Sequence, residues 1–174
     1  MHADDKLILV KHNAFTLLYI HYIMCTDIIR DIFREPDVPS DFCYTASDVR
    51  NLSVEIYHQM IKIVEEVQNL ILNDNFIIKL LILILLFSKG ADPIEPILVE
   101  PTKVFYAQNI YVNLLWNYIT VRFGFDRTAT LVSRLIFSTL KCQSVARETK
   151  ETIAVKTVQV DDLLPLMQSV LQIS

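Results

Sequence analysis

Residues 4–33 read DDKLILVKHNAFTLLYIHYIMCTDIIRDIF, and this stretch decides the fold class. Apolar side chains recur at Leu7, Val10, Ala14, Leu17, Leu18, Ile20, Ile23 and Met24. Steps of three and four residues are the period of a helix. Neither Gly nor Pro interrupts the run. Asp4 or Asp5 is placed to cap its start, so the expected helix spans Asp4 to Phe33. Pro36 and Pro39 end it.

The same period continues along the chain. Asp41 to Asn51 reads as a mixed connector with room for a short strand or turn. From Ser53 to Leu72, Ile56, Met60, Ile63, Val67 and Leu70 form the buried stripe of an amphipathic helix. Asn73, Asp74 and Asn75 stop that helix and cap the next. Phe76 to Ser88 is apolar all round, which suits the centre of a helical stack, and closes at Lys89 and Gly90. Pro93, Pro96 and Pro101 mark a loop. An aromatic-rich helix spans Thr102 to Phe123 and ends at Gly124. Asp126 or Thr128 caps a helix that runs to about Val155. After a short link, Asp161, Asp162 and Pro165 open a last amphipathic helix. The pattern predicts an all-α domain of about six to eight helices.

Composition narrows the function classes. The chain has 174 residues, 52% of them hydrophobic and 21% charged, which predicts one domain and excludes disorder. Two glycines, Gly90 and Gly124, argue against a hairpin-rich β fold. A net charge of −4 with no basic run argues against a nucleic-acid surface. Cys25, Cys43 and Cys142 are odd in number and form no C-x-x-C pair, so they read as buried, reduced thiols of an intracellular protein. The polar start lacks a signal-peptide pattern, and the run from Phe76 to Phe87 is shorter than the roughly 20 residues of a membrane span. His2, His12, His21 and His58 fall in no metal or triad spacing, and no phosphate loop or nucleophile elbow is present. The chain reads as a non-enzyme with no metal site and no cofactor.

Three stretches together resemble the ligand-binding domain of nuclear receptors. Asp5 to Lys11 (DKLILVK) is similar to the family signature D-Q-x-x-L-L-K, with Lys6 where the family carries Gln. Leu80 to Asp92 (LLILILLFSKGAD), then a proline loop and a long aromatic helix, resembles the eighth and ninth helices. Leu131 to the C-terminus resembles the fused tenth and eleventh helices and the activation helix, with Leu164 to Leu171 (LPLMQSVL) similar to P-L-Φ-x-E-Φ-Φ. Vitamin D, liver X and invertebrate xenobiotic-type receptors are the most similar grouping. The match opens part-way through the family's domain. It therefore implies a helical sandwich over residues 1–174 that lacks the first three helices and the DNA-binding domain, either a shortened form or a fragment.

The resemblance implies a ligand-binding, coregulator and dimerisation module that regulates transcription in the nucleus. Its partners would be a small lipophilic ligand, LxxLL-type coregulator helices and a second nuclear receptor, with no nucleic-acid or membrane contact. Leu7, Val10 and Lys11 would line the coregulator groove with Leu166, Met167, Ser169 and Val170 of the last helix. Lys11 would meet the free carbonyls at the end of a docked peptide helix; the plainer reading is a solvated lysine. Ser169 stands where the family has a glutamate, so half of the charge clamp is missing. Leu17, Leu18, His21 and Met24 would face ligand, together with Leu140, Ser144 and Val145; the plainer reading is ordinary core. Leu131, Leu135, Ile136 and Thr139 resemble the dimer seam and read equally as core. Thr16 replaces the glutamate of retinoid X-type heterodimers. The alternative is a truncated, receptor-like protein that dimerises without binding ligand or DNA.

Overall fold

The computed structural model describes residues 1–34, 43–45, 53–89 and 96–156. Among these the chain is all-α apart from one small sheet. The elements are α1 (Ala3–Cys25), β1 (Thr26–Asp27), β2 (Ile32–Arg34), β3 (Cys43–Thr45), α2 (Val54–Ile71), α3 (Asn75–Leu86), α4 (Pro101–Phe123) and α5 (Phe125–Lys156). The expected last helix and the close at Gly90 lie outside the described residues.

Helix α1 packs on α2, α3 and α5. By length and composition alone it could also cross a membrane. Leu9, Ile20 and Ile23 are buried along it. Its start differs from expectation. His2 is the cap, its Nδ1 accepting from the Asp4 N–H at 3.3 Å, and Asp5 is turned inward. Its end also differs: the helix stops at Cys25, not near Phe33. Thr26 is extended, and its hydroxyl donates to the Tyr22 carbonyl at 2.7 Å. Asp27 then accepts from the N–H groups of Ile29 and Arg30, an Asx turn that reverses the chain. Thr26 pairs with Phe33 and Asp27 with Ile32, and β3 adds antiparallel to β2. The Phe33 ring stacks on Tyr22 at 4.9 Å, which holds the hairpin against the helix.

Helix α2 buries Ile56, Met60, Ile63 and Val67 as the period requires, and Tyr57, Val64 and Ile71 beside them. Ser53 caps it by accepting from the Ile56 N–H. Leu72 and Asn73 take left-handed angles, φ +52° and +58°, and Asp74 caps α3 through the Phe76 N–H. This tight turn sets α2 and α3 at 117°. Helix α3 lies between α1 and α4, with Ile77, Ile78, Leu80, Leu81 and Leu85 buried, which is the central position its composition predicted.

Gly124 joins α4 to α5 at φ +87°, a left-sided angle that side chains other than glycine adopt at a cost. Its N–H closes α4 on the Thr120 carbonyl at 3.0 Å. Helix α5 begins at once at Phe125, so neither Asp126 nor Thr128 is the cap. Instead Thr128 is fully buried, and its hydroxyl donates back to the Gly124 carbonyl at 2.9 Å. A second polar link ties α5 to α1. The Thr149 hydroxyl donates to the Val145 carbonyl, so Tyr19 Oη donates to Thr149.

Candidate functional site

Helix α1 carries the candidate site. Leu7, Lys11, Ala14, Leu18, His21 and Cys25 fall at steps of four and three, so they share one face. The N-terminal end of this face is open. Leu7 and Val10 are about half exposed, and Lys11 is partly buried one turn on. The opposite face, with Leu9 and Asn13, is sealed in the core. The structure thus brings Leu7, Val10 and Lys11 together on the surface, an apolar floor with a cation at its edge.

Two buried polar side chains fix this helix. Asp5 is completely inaccessible to solvent. Its carboxylate accepts from the Val99 N–H at 2.7 Å and the Glu100 N–H at 2.9 Å. Those amides precede α4, whose cap residue Glu100 makes no side-chain cap bond of its own. Asp5 therefore supplies an anion at the positive end of α4. Asn13 donates to the Leu9 carbonyl at 3.1 Å and to the Ser88 carbonyl at 2.9 Å, clasping the end of α3. Together they set the position of Leu7, Val10 and Lys11 relative to the rest of the fold. Neither was singled out as a functional residue in the sequence. Asp5 has no local signal, because its partners lie 94 and 95 residues away.

The C-terminal end of the face is closed by the sheet. His21 is half-buried, with its Nε2 3.3 Å from the Cys25 Sγ and its ring edge-on to Phe33 at 6.5 Å. Leu17 and Met24 pack against the core, while Leu18 stands exposed. Tyr22 is buried, and its hydroxyl has no hydrogen-bond partner among the described residues. Burial pushes that phenol up to about 12. The Cys142 thiol is likewise pushed up to about 12 by burial, so it is neutral at pH 7.

Residues predicted on α5 divide by helix phase. Val145 turns to the core, whereas Leu140 and Ser144 lie on exposed positions and do not join Val145 in one wall. The predicted dimer seam divides the same way. Leu131 and Leu135 are buried within the chain, Thr139 is half-buried with its hydroxyl on the Leu135 carbonyl at 2.9 Å, and Ile136 is exposed. Leu131 and Leu135 are thus core residues, since a side chain sealed inside one chain offers nothing to a second. Phe137, next to Ile136 and more exposed, was missed by the seam reading. Leu166, Met167, Ser169 and Val170 lie outside the described residues. Among the described residues, no group of three or more His, Cys, Asp or Glu side chains is placed to hold a metal ion.

Comparison of the sequence with protein-family models and with curated proteins returns no match.

Proposed function

We propose that this chain is a module resembling part of a nuclear receptor ligand-binding domain, acting in the nucleus on transcription through an LxxLL-type coregulator helix and a small lipophilic ligand. The observation that carries this reading is the open face of α1, where exposed Leu7 and Val10 stand beside Lys11. An amphipathic peptide helix needs an apolar floor for its leucines and a cation for its last free carbonyls. This face offers both. His21, half-buried near the far end of the same helix, supplies a hydrogen-bonding group for the polar end of a ligand. Ligand would act by favouring the conformation in which the groove is complete.

The test is fluorescence anisotropy of a labelled LxxLL peptide with the full chain. Saturable binding is expected, and Lys11→Ala weakens it about two- to five-fold, the size of a charge at a helix end. Absence of saturable binding overturns the reading. A second reading, an interaction module without a ligand, is favoured by the exposure of Leu18, Leu140 and Ser144, which among the described residues do not form a buried wall. The two separate on thermal shift with a sterol, a retinoid and a fatty acid. A ligand sensor gains stability as RT ln(1 + [L]/Kd), and the module gains none.

A further inference from the structure

A groove of about 380 Å³ is lined by Lys62, Glu65, Glu66, Asn69 and Leu70 of α2 and by Arg134 of α5. That volume falls in the range of small-molecule sites. The five α2 positions step by three, one, three and one, so a single face of the helix supplies them. One charge in this wall is already matched. Glu66 Oε2 accepts from the Lys141 ammonium at 2.6 Å, and that ammonium lies 4.8 Å from the centre of the Phe137 ring. Three charges remain. Lys62, Glu65 and Arg134 are exposed and form no ion pair among the described residues. Lys62 and Glu65 stand three residues apart on α2, a spacing at which opposite charges can meet, yet they do not pair.

We propose that this groove binds a free acidic α-amino acid of the glutamate type. Two free cations and one free carboxylate call for the inverse set, two carboxylates and one ammonium. L-Glutamate carries that set. Its carboxylates take the Arg134 guanidinium and the Lys62 ammonium, and its α-ammonium takes the Glu65 carboxylate. Other charge patterns fit less well. A dianion without an ammonium meets Glu65 with like charge, and a basic amino acid meets Lys62 and Arg134 in the same way. A neutral amino acid leaves one cation unmatched. Leu70 offers an apolar contact for the ligand's methylenes, and the Asn69 amide is a further donor for a carboxylate. The charged lining is exposed, so water screens each pair and the dissociation constant is on the order of 1 mM. The pattern of signs therefore gives selectivity more than affinity. None of the α1 residues of the receptor-like reading lines this groove. Binding is read without peptide or lipophilic ligand, so the two readings fail separately.

The experiment is titration of the isotope-labelled full chain with L-glutamate at neutral pH and low salt, followed by amide NMR shifts. Saturable shifts are expected at Lys62, Glu65, Asn69 and Arg134. N-Acetyl-L-glutamate keeps both carboxylates and lacks the ammonium, and it is expected to bind about five-fold more weakly or worse. Lys62→Gln and Arg134→Gln each raise the Kd for L-glutamate about three-fold or more. Glu65→Gln weakens L-glutamate and tightens N-acetyl-L-glutamate, so the preference between them closes or reverses. All three substitutions fall on exposed charges, and the same spectra report whether each variant keeps its fold. Absence of saturation up to about 20 mM L-glutamate overturns the proposal. So do shifts centred away from the groove, a wild-type chain that binds both ligands alike, or a Glu65→Gln variant with an unchanged preference.

Discussion

Replacing Asp5 by alanine removes a buried carboxylate that joins α1 to the start of α4. The structure gives the size of the loss. Two charge-assisted hydrogen bonds, 2.7 and 2.9 Å long, disappear, and α4 loses its anion. Each such bond contributes about 1.5–3 kcal/mol net. Val99 is mostly exposed, so water recovers part of the loss, and the lower end applies. The expected destabilisation is about 3 kcal/mol. For a chain of this length that lowers the melting temperature by roughly 6–12 °C. Asp5→Asn keeps one acceptor and turns an NH₂ toward the second donor, so it loses about half as much. Thermal and urea unfolding followed by far-UV circular dichroism measure both. Amide exchange at Val99 and Glu100 is expected to accelerate in the alanine variant. Because Asp5 is sealed from solvent, the effect persists at high salt, unlike that of the Lys103–Glu100 surface pair. An Asp5→Ala variant that melts within about 2 °C of wild type would refute the reasoning.

Among the described residues the Tyr22 hydroxyl has no bonded partner, so Tyr22→Phe deletes a buried polar atom and stability is expected to stay level or rise by up to about 1 kcal/mol; a loss in urea unfolding would mean that the hydroxyl is bonded. Stability falls at alkaline pH. In the unfolded chain Cys142 ionises near pH 9, while in the fold it holds its proton to about 12, so the unfolded state binds fewer protons between those values. The slope from this group approaches about −1.4 kcal/mol per pH unit, Tyr22 adds to it above pH 10, and Cys142→Ala flattens it in urea titrations from pH 8 to 11.

The candidate site was legible only in part. Spacing alone places Leu7, Lys11, Leu18 and His21 on one face of a helix. It does not say that the hairpin closes the end near His21 while the end near Leu7 stays open. The end of α1 shows the same limit. Ile28, Ile29, Ile32 and Phe33 continue an acceptable helical pattern, and no Gly or Pro breaks it. The helix stops because Thr26 bonds back to Tyr22 and because β2 finds partners on both sides. The pairing of β2 with β3 outweighs a weak local propensity and cannot be read inside a short window.

What the sequence by itself determined is the helical character of the chain and the bounds of α2, α3 and α4. Caps, proline loops and three-to-four spacing are local, because a helix bonds each residue to one four places away. On α1 and α5 only the tertiary structure decided which apolar side is inside. On α5, Leu131 and Leu135 are sealed while Ile136 and Leu140 are open, although all four are equally apolar. Asp5 follows the same logic, since its burial depends on amides that arrive from the far side of the fold. Burial is a relation between distant segments, and a one-dimensional period carries the face of a helix without naming the surface that it meets.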